Sequence, residues 1–115
     1  MKRETERPTI VCLCGSTRFS KAFQDANLRE TINGKIVLTI GCDLRSDTEV
    51  FGHMTIDEVT MIKNQLDELH LRKIDLADEV LILNVGGYIG ESTARELAYA
   101  RAHGKVIRFL EAPHE

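Results

Sequence analysis

The chain has 115 residues, of which 43% are hydrophobic and 29% charged, with eight glycines and two prolines. That length fits one domain, and that balance excludes disordered, collagen-like and coiled-coil classes. Fifteen basic against eighteen acidic side chains leave a formal charge of −3, too near neutrality for a protein that grips a polyanion without specificity, so nucleic acid is not the expected partner.

Residues 1–8 are almost wholly polar and end in Pro8, which reads as a disordered tail ahead of a single α/β domain over residues 9–115. The longest apolar runs, Ile10 to Cys14 and Val80 to Leu83, fall far short of the roughly 20 residues that cross a bilayer. No basic leader precedes an apolar signal segment, and a cytoplasmic protein without a membrane partner is expected. The three cysteines, Cys12, Cys14 and Cys42, are an odd number, and two alternate within one apolar run. They read as reduced, buried thiols rather than a disulfide framework. Cys12 and Cys14 also form a Cys-x-Cys pair, but no further His or Cys follows nearby at ligand spacing, so neither a metal nor another cofactor is expected.

From Thr9 onward, apolar β-branched runs alternate with segments of helical period. In chain order they are TIVCLC, Ser20 to Asn33, KIVLTI, Thr55 to Asp75, EVLILNV, Thr93 to His103, and KVIRFL. Asn33-Gly34 and His103-Gly104 read as helix stops, each followed by a lysine and a new strand. Strands joined through helices build a parallel sheet covered on both faces. The expected fold is therefore a doubly wound, Rossmann-like or flavodoxin-like three-layer sandwich of four or five strands in the order 2-1-3-4. VLILNV reads as a central strand, whereas the strand carrying Arg108 suits an edge. The winding then reverses between the first and third strands, where open parallel sheets bind ligands, which singles out the loops after Cys14 and Val85.

The first loop, Gly15-Ser16-Thr17-Arg18, combines close backbone approach, two hydroxyls and a guanidinium fork ahead of a helix, a set suited to a phosphate. A plain strand-to-helix turn with a hydroxyl cap is the alternative. The second loop runs Gly86-Gly87-Tyr88-Ile89-Gly90-Glu91-Ser92, and its glycines suggest that something passes close to its backbone. Beyond it, Thr93 and Glu96 match a capping box, in which Glu96 reaches back to a helix start; the competing reading aims Glu96 at a ligand. In the middle helix Val59, Ile62, Leu66 and Leu69 mark a buried stripe with His70 at its edge, either a satisfied boundary residue or a proton donor. The fourteen-residue connection Gly41 to Met54, with Asp43, Arg45, Asp47 and His53, has the length of a lid or ligand wall.

Three stretches, VCLCGSTR, IDLADEVLILNV and GYIGESTARELAYARAHGKVIRFL, together resemble the nucleoside 2-deoxyribosyltransferase superfamily, in particular its small 2′-deoxynucleoside 5′-monophosphate N-glycosidase branch. The resemblance implies a Rossmann-like homo-oligomer built on dimers that acts on a small nucleotide without a cofactor. It also implies that Gly15, Ser16 and Arg18 grip a 5′-phosphate and that Glu96 is the catalytic carboxylate. Three positions depart from the family. Glu91 stands near the place of an acidic residue that helps hold the base, His70 falls where the second catalytic carboxylate belongs, and Cys12 replaces an aromatic residue that can stack on the base. The expectation is cleavage of the N-glycosidic bond of a (deoxy)nucleoside 5′-monophosphate, by hydrolysis or by deoxyribosyl transfer to a second base, with Glu96 as nucleophile and His70 as proton donor. The alternatives are a non-catalytic nucleotide-binding or sensing module using the same crevice, and an interaction protein of flavodoxin-like shape.

Overall fold

The computed structural model describes residues 7–40 and 52–112. Most of the expected lid, including Asp43, Arg45 and Asp47, lies outside the described residues, as do Cys42 and residues 1–6. Strands β1 (Ile10–Cys14), β2 (Ile36–Leu38), β3 (Glu79–Ile82) and β4 (Val106–Phe109) alternate with helices α1 (Ser20–Ile32), α2 (Ile56–Leu76) and α3 (Glu91–Ala102). All pairings among the described strands are parallel, in the order β2-β1-β3-β4, as the strand–helix alternation predicts. The strand bearing Arg108 is at the edge and β3 is internal, because a strand buried on both faces has no place for a charge.

Side chains alternate across the sheet and divide the core in two. Val11, Leu13, Leu81 and Leu83 pack with Phe23 and Ala26 of α1. Cys12, Cys14, Val80 and Ile82 face the other way, against Ile74 of α2 and Leu97 and Ala100 of α3. Among the described residues, one helix thus covers one face and two cover the other, and the change of face falls between β1 and β3. Both expected glycine stops form: Gly34 and Gly104 adopt φ of 84° and 69°, and the lysine after each donates its amide back to the preceding helix.

The helices differ from the sequence reading in two places. The capping box is at Thr55 and Glu58, at the start of α2, not at Thr93 and Glu96. The third helix begins at Glu91, with Gly90 as its N-cap, so Thr93 is already inside it and buried. On α2, Val59, Ile62 and Leu66 are only half-buried and Leu69 is 51% exposed, whereas His70 and Ile74 are buried. The reason is length. Twenty-one residues span roughly 31 Å, more than strands of three to five residues can cover, so only the end of α2 nearest β3 packs on the sheet.

A buried ion cluster ties the elements together away from these loops. Glu30 of α1, 1% exposed, accepts hydrogen bonds from Arg108 of β4, from Lys35 at 3.3 Å and from Arg29 at 3.3 Å. Glu79 at the start of β3 binds Lys35 at 2.7 Å and Arg108 at 3.0 Å.

Candidate functional site

The loops after β1 and β3 are neighbours because their strands are. Cys14 pairs with Ile82, and the Leu83 amide donates to the Cys14 carbonyl at 2.8 Å. The loops then touch through side chains. The Arg18 guanidinium lies over the Tyr88 ring, 4.5 Å from its centroid, and donates to the Tyr88 hydroxyl at 3.4 Å. Phe19 meets the same ring edge-on at 5.9 Å between centroids.

In the first loop, the Phe19 amide donates to the Ser16 carbonyl at 3.0 Å and the Arg18 amide to Ser16 Oγ at 3.3 Å. No side-chain cap closes the start of α1, so neither hydroxyl is used as the capping alternative requires. Ser16 is half-buried, and Thr17 and Arg18 are exposed. Gly15 has a structural reason to be glycine: a Cβ there would stand 3.0 Å from Leu83 Cβ and 3.3 Å from the Leu83 carbonyl oxygen. Gly15→Ala therefore pries β1 from β3 and is expected to cost about 1–3 kcal/mol, read as a fall in thermal midpoint of about 4–8 °C per kcal/mol.

The glycines of the second loop also answer to the chain itself. Gly86 and Gly87 adopt φ of 63° and 83° in a short 3₁₀ turn, Val85–Gly87, a region that L side chains avoid. A Cβ on Gly90 would stand 3.1 Å from the Tyr88 hydroxyl. The turn is pinned from just beyond β4, where the Glu111 carboxylate accepts from the Gly86 amide at 2.6 Å. Buried Asn84 exchanges two bonds with the Glu111 backbone, at 2.9 and 3.0 Å. Sequence reading passed over this clamp. An asparagine ending an apolar strand was its only signal.

Glu91 and Ser92 are brought to Arg95 rather than to Glu96. Arg95 binds Glu91 Oε1 and Ser92 Oγ, each at 3.3 Å, on the exposed start of α3. Glu96 points to the sheet instead, with its side chain 15% exposed and Oε1 3.9 Å from His70 Nε2. Since α3 starts two residues before Thr93, Glu96 is not at the N3 position of a capping box. His70 Nε2 lies 3.3 Å from Cys14 Sγ and 3.7 Å from Cys12 Sγ. The sequence found no histidine near the Cys-x-Cys pair. The fold supplies one from α2, 58 residues beyond Cys12.

This cluster of two thiols, an imidazole and a carboxylate is electrostatically coupled. The neighbouring Cys14 thiol, outweighing burial and helped by His70, brings the Cys12 thiol down to about 6, while Cys12 and burial push Cys14 well up. Burial opposes charge on His70, but the Cys12 sulfur and Glu96 outweigh it and raise the imidazole above its ordinary value. Burial raises the Glu96 carboxyl, against the pull of His70. The cluster can hold and pass protons, and through His70 it reaches Cys14, the last residue of β1 and the neighbour of the first loop.

The fold belongs to the Rossmann-like α/β class, with its winding reversing between β1 and β3. No family model matches the sequence, and no curated protein matches it. Among the described residues, no helix is long and apolar enough to cross a membrane.

Proposed function

We propose that the protein cleaves the N-glycosidic bond of a nucleoside 5′-monophosphate, deoxyribose-bearing by the resemblance noted above. The observation that carries the reading is the meeting of Glu96 and His70, from two different helices, at the C-terminal end of β1 beside the loop of Arg18. The phosphate binds to Ser16, Thr17, Arg18 and the amides that start α1, and this remote grip fixes the sugar against Glu96. The Glu96 carboxylate attacks C1′ as the bond from C1′ to the base nitrogen breaks, and the base leaves with a proton from His70. Water then takes the place of Glu96 on C1′ and returns a proton to the site. A retaining glycosidase divides its labour in the same way.

The direct test is to incubate the protein with a panel of ribo- and deoxynucleoside monophosphates and measure free base by chromatography, with thermal shift in parallel. Free base from at least one deoxynucleotide is expected. Stabilisation by nucleotide without any free base would replace this reading with a sensing module, and no stabilisation at all would end both. Arg18→Ala is expected to raise KM about 10–100-fold with kcat less affected, because the phosphate contact is made equally in the ground and transition states. The reading includes a homo-oligomer. Its support is the overhanging part of α2, where Ile56, Met61 and Leu69 are exposed, and light scattering would show a mass above that of one chain.

A further inference from the structure

We propose that Cys12, Cys14, His70 and Glu96 form a binding site for one zinc-class divalent cation. The inference stands apart from the glycosidase reading and needs no nucleotide chemistry. Cys12 and Cys14 are two apart on one strand, so both thiols face α2 and α3, and the two sulfurs and an imidazole nitrogen lie within 4.8 Å of one another. Donor atoms held about 2.0–2.3 Å from a tetrahedral zinc stand roughly 3.3–3.8 Å apart. The separations of His70 Nε2 from the two sulfurs, 3.3 and 3.7 Å, fall in that range; Glu96 Oε1 is 3.9 Å from His70 Nε2 but lies outside the 4.8 Å group that the two sulfurs and the imidazole form.

The donor set is soft to borderline, two sulfurs with one imidazole, which selects zinc over magnesium or calcium. The fourth donor, the Glu96 carboxylate, reaches the ion by a turn of its side chain from beside His70 toward the sulfurs. Burial strengthens the case. Both cysteines are fully buried and His70 nearly so, and apolar surroundings penalise this many polar and ionisable groups unless a charge gathers them. Two thiolates and one carboxylate around a divalent ion leave one net negative charge. Lys73 acts electrostatically on both Cys12 and His70 and offsets it.

The test is titration of the reduced, chelator-stripped full chain with Co²⁺. One ion per chain is expected, with intense near-ultraviolet thiolate-to-cobalt absorption and the visible bands of a four-coordinate ion, both erased by Zn²⁺. Cys12→Ser/Cys14→Ser removes the near-ultraviolet band, Glu96→Gln keeps it while shifting the visible bands, and Cys42→Ala changes neither. Because serines in the core can cost the fold, the deciding measurement uses the unaltered chain: X-ray absorption of the zinc-loaded protein, with two sulfurs at about 2.3 Å and an imidazole nitrogen at about 2.0 Å. A first shell of oxygen and nitrogen alone, absence of the thiolate band, or a band lost with Cys42 instead would overturn the proposal.

Discussion

Glu96→Gln is expected to lower release of free base from a deoxynucleoside monophosphate by at least about 10³-fold, the scale on which removing a catalytic nucleophile acts. Nucleotide-dependent stabilisation should persist. Glutamine keeps the volume and the hydrogen-bonding reach of the side chain but cannot attack C1′. Its neutrality suits the site, since burial already raises the Glu96 carboxyl, and the thermal midpoint should stay within a few degrees of the parent. A variant that folds, binds nucleotide and turns over at the parental rate would remove Glu96 from the chemistry. His70→Gln is the companion measurement: loss of the proton donor is expected to cost about 10²–10⁴-fold in kcat, least with a base that leaves readily unprotonated.

The second large effect is on stability. Glu30→Ala is expected to cost about 2–3 kcal/mol, below the roughly 3–5 kcal/mol that breaking a fully buried ion pair costs. Glu30 is itself fully enclosed, but the Arg108 and Lys35 side chains it would leave behind are 35% and 25% exposed and can turn partly to water. For a domain of this size the thermal midpoint would fall by about 4–8 °C per kcal/mol. Burial alone would raise the Glu30 carboxyl; Arg108 and then Lys35 overturn that and hold it below its ordinary 4.5. With its folded value depressed, Glu30 contributes its full stabilisation above pH 4.5 and loses it as pH falls through the lower folded value. The gap in thermal midpoint between parent and variant should therefore be widest near neutrality and close in acid. A gap independent of pH would mean that the carboxylate's charge contributes nothing.

The readings that succeeded and those that failed divide by range. TIVCLC, KIVLTI, EVLILNV and KVIRFL announce themselves as strands because apolar β-branched runs are local, though β2 stops at Leu38 and β3 at Ile82, and the glycine stops after Asn33 and His103 are local for the same reason. The start of α3 was misplaced because Thr93-x-x-Glu96 satisfies a capping pattern wherever it occurs, and only packing of Thr93 into the core shows that the helix has already begun. The buried face of α2 was misjudged because periodicity reports a stripe but not which part of it the short sheet reaches.

Alternation of strand and helix and the charge in the last strand led, from the sequence alone, to a parallel sheet of four or five strands in the order 2-1-3-4 and to the two loops at its winding reversal. The tertiary structure alone decided that His70 stands against Cys12 and Cys14, that Glu96 meets it, that Arg18 rests on Tyr88, and that Glu30 collects its cations from α1, β4 and the turn before β2. Hydrophobic period and turn chemistry act over a few residues and are written in the order of the chain. The site is made of contacts between residues 26, 56 and 70 positions apart, which arise only once the sheet has set strand against strand and helix against helix.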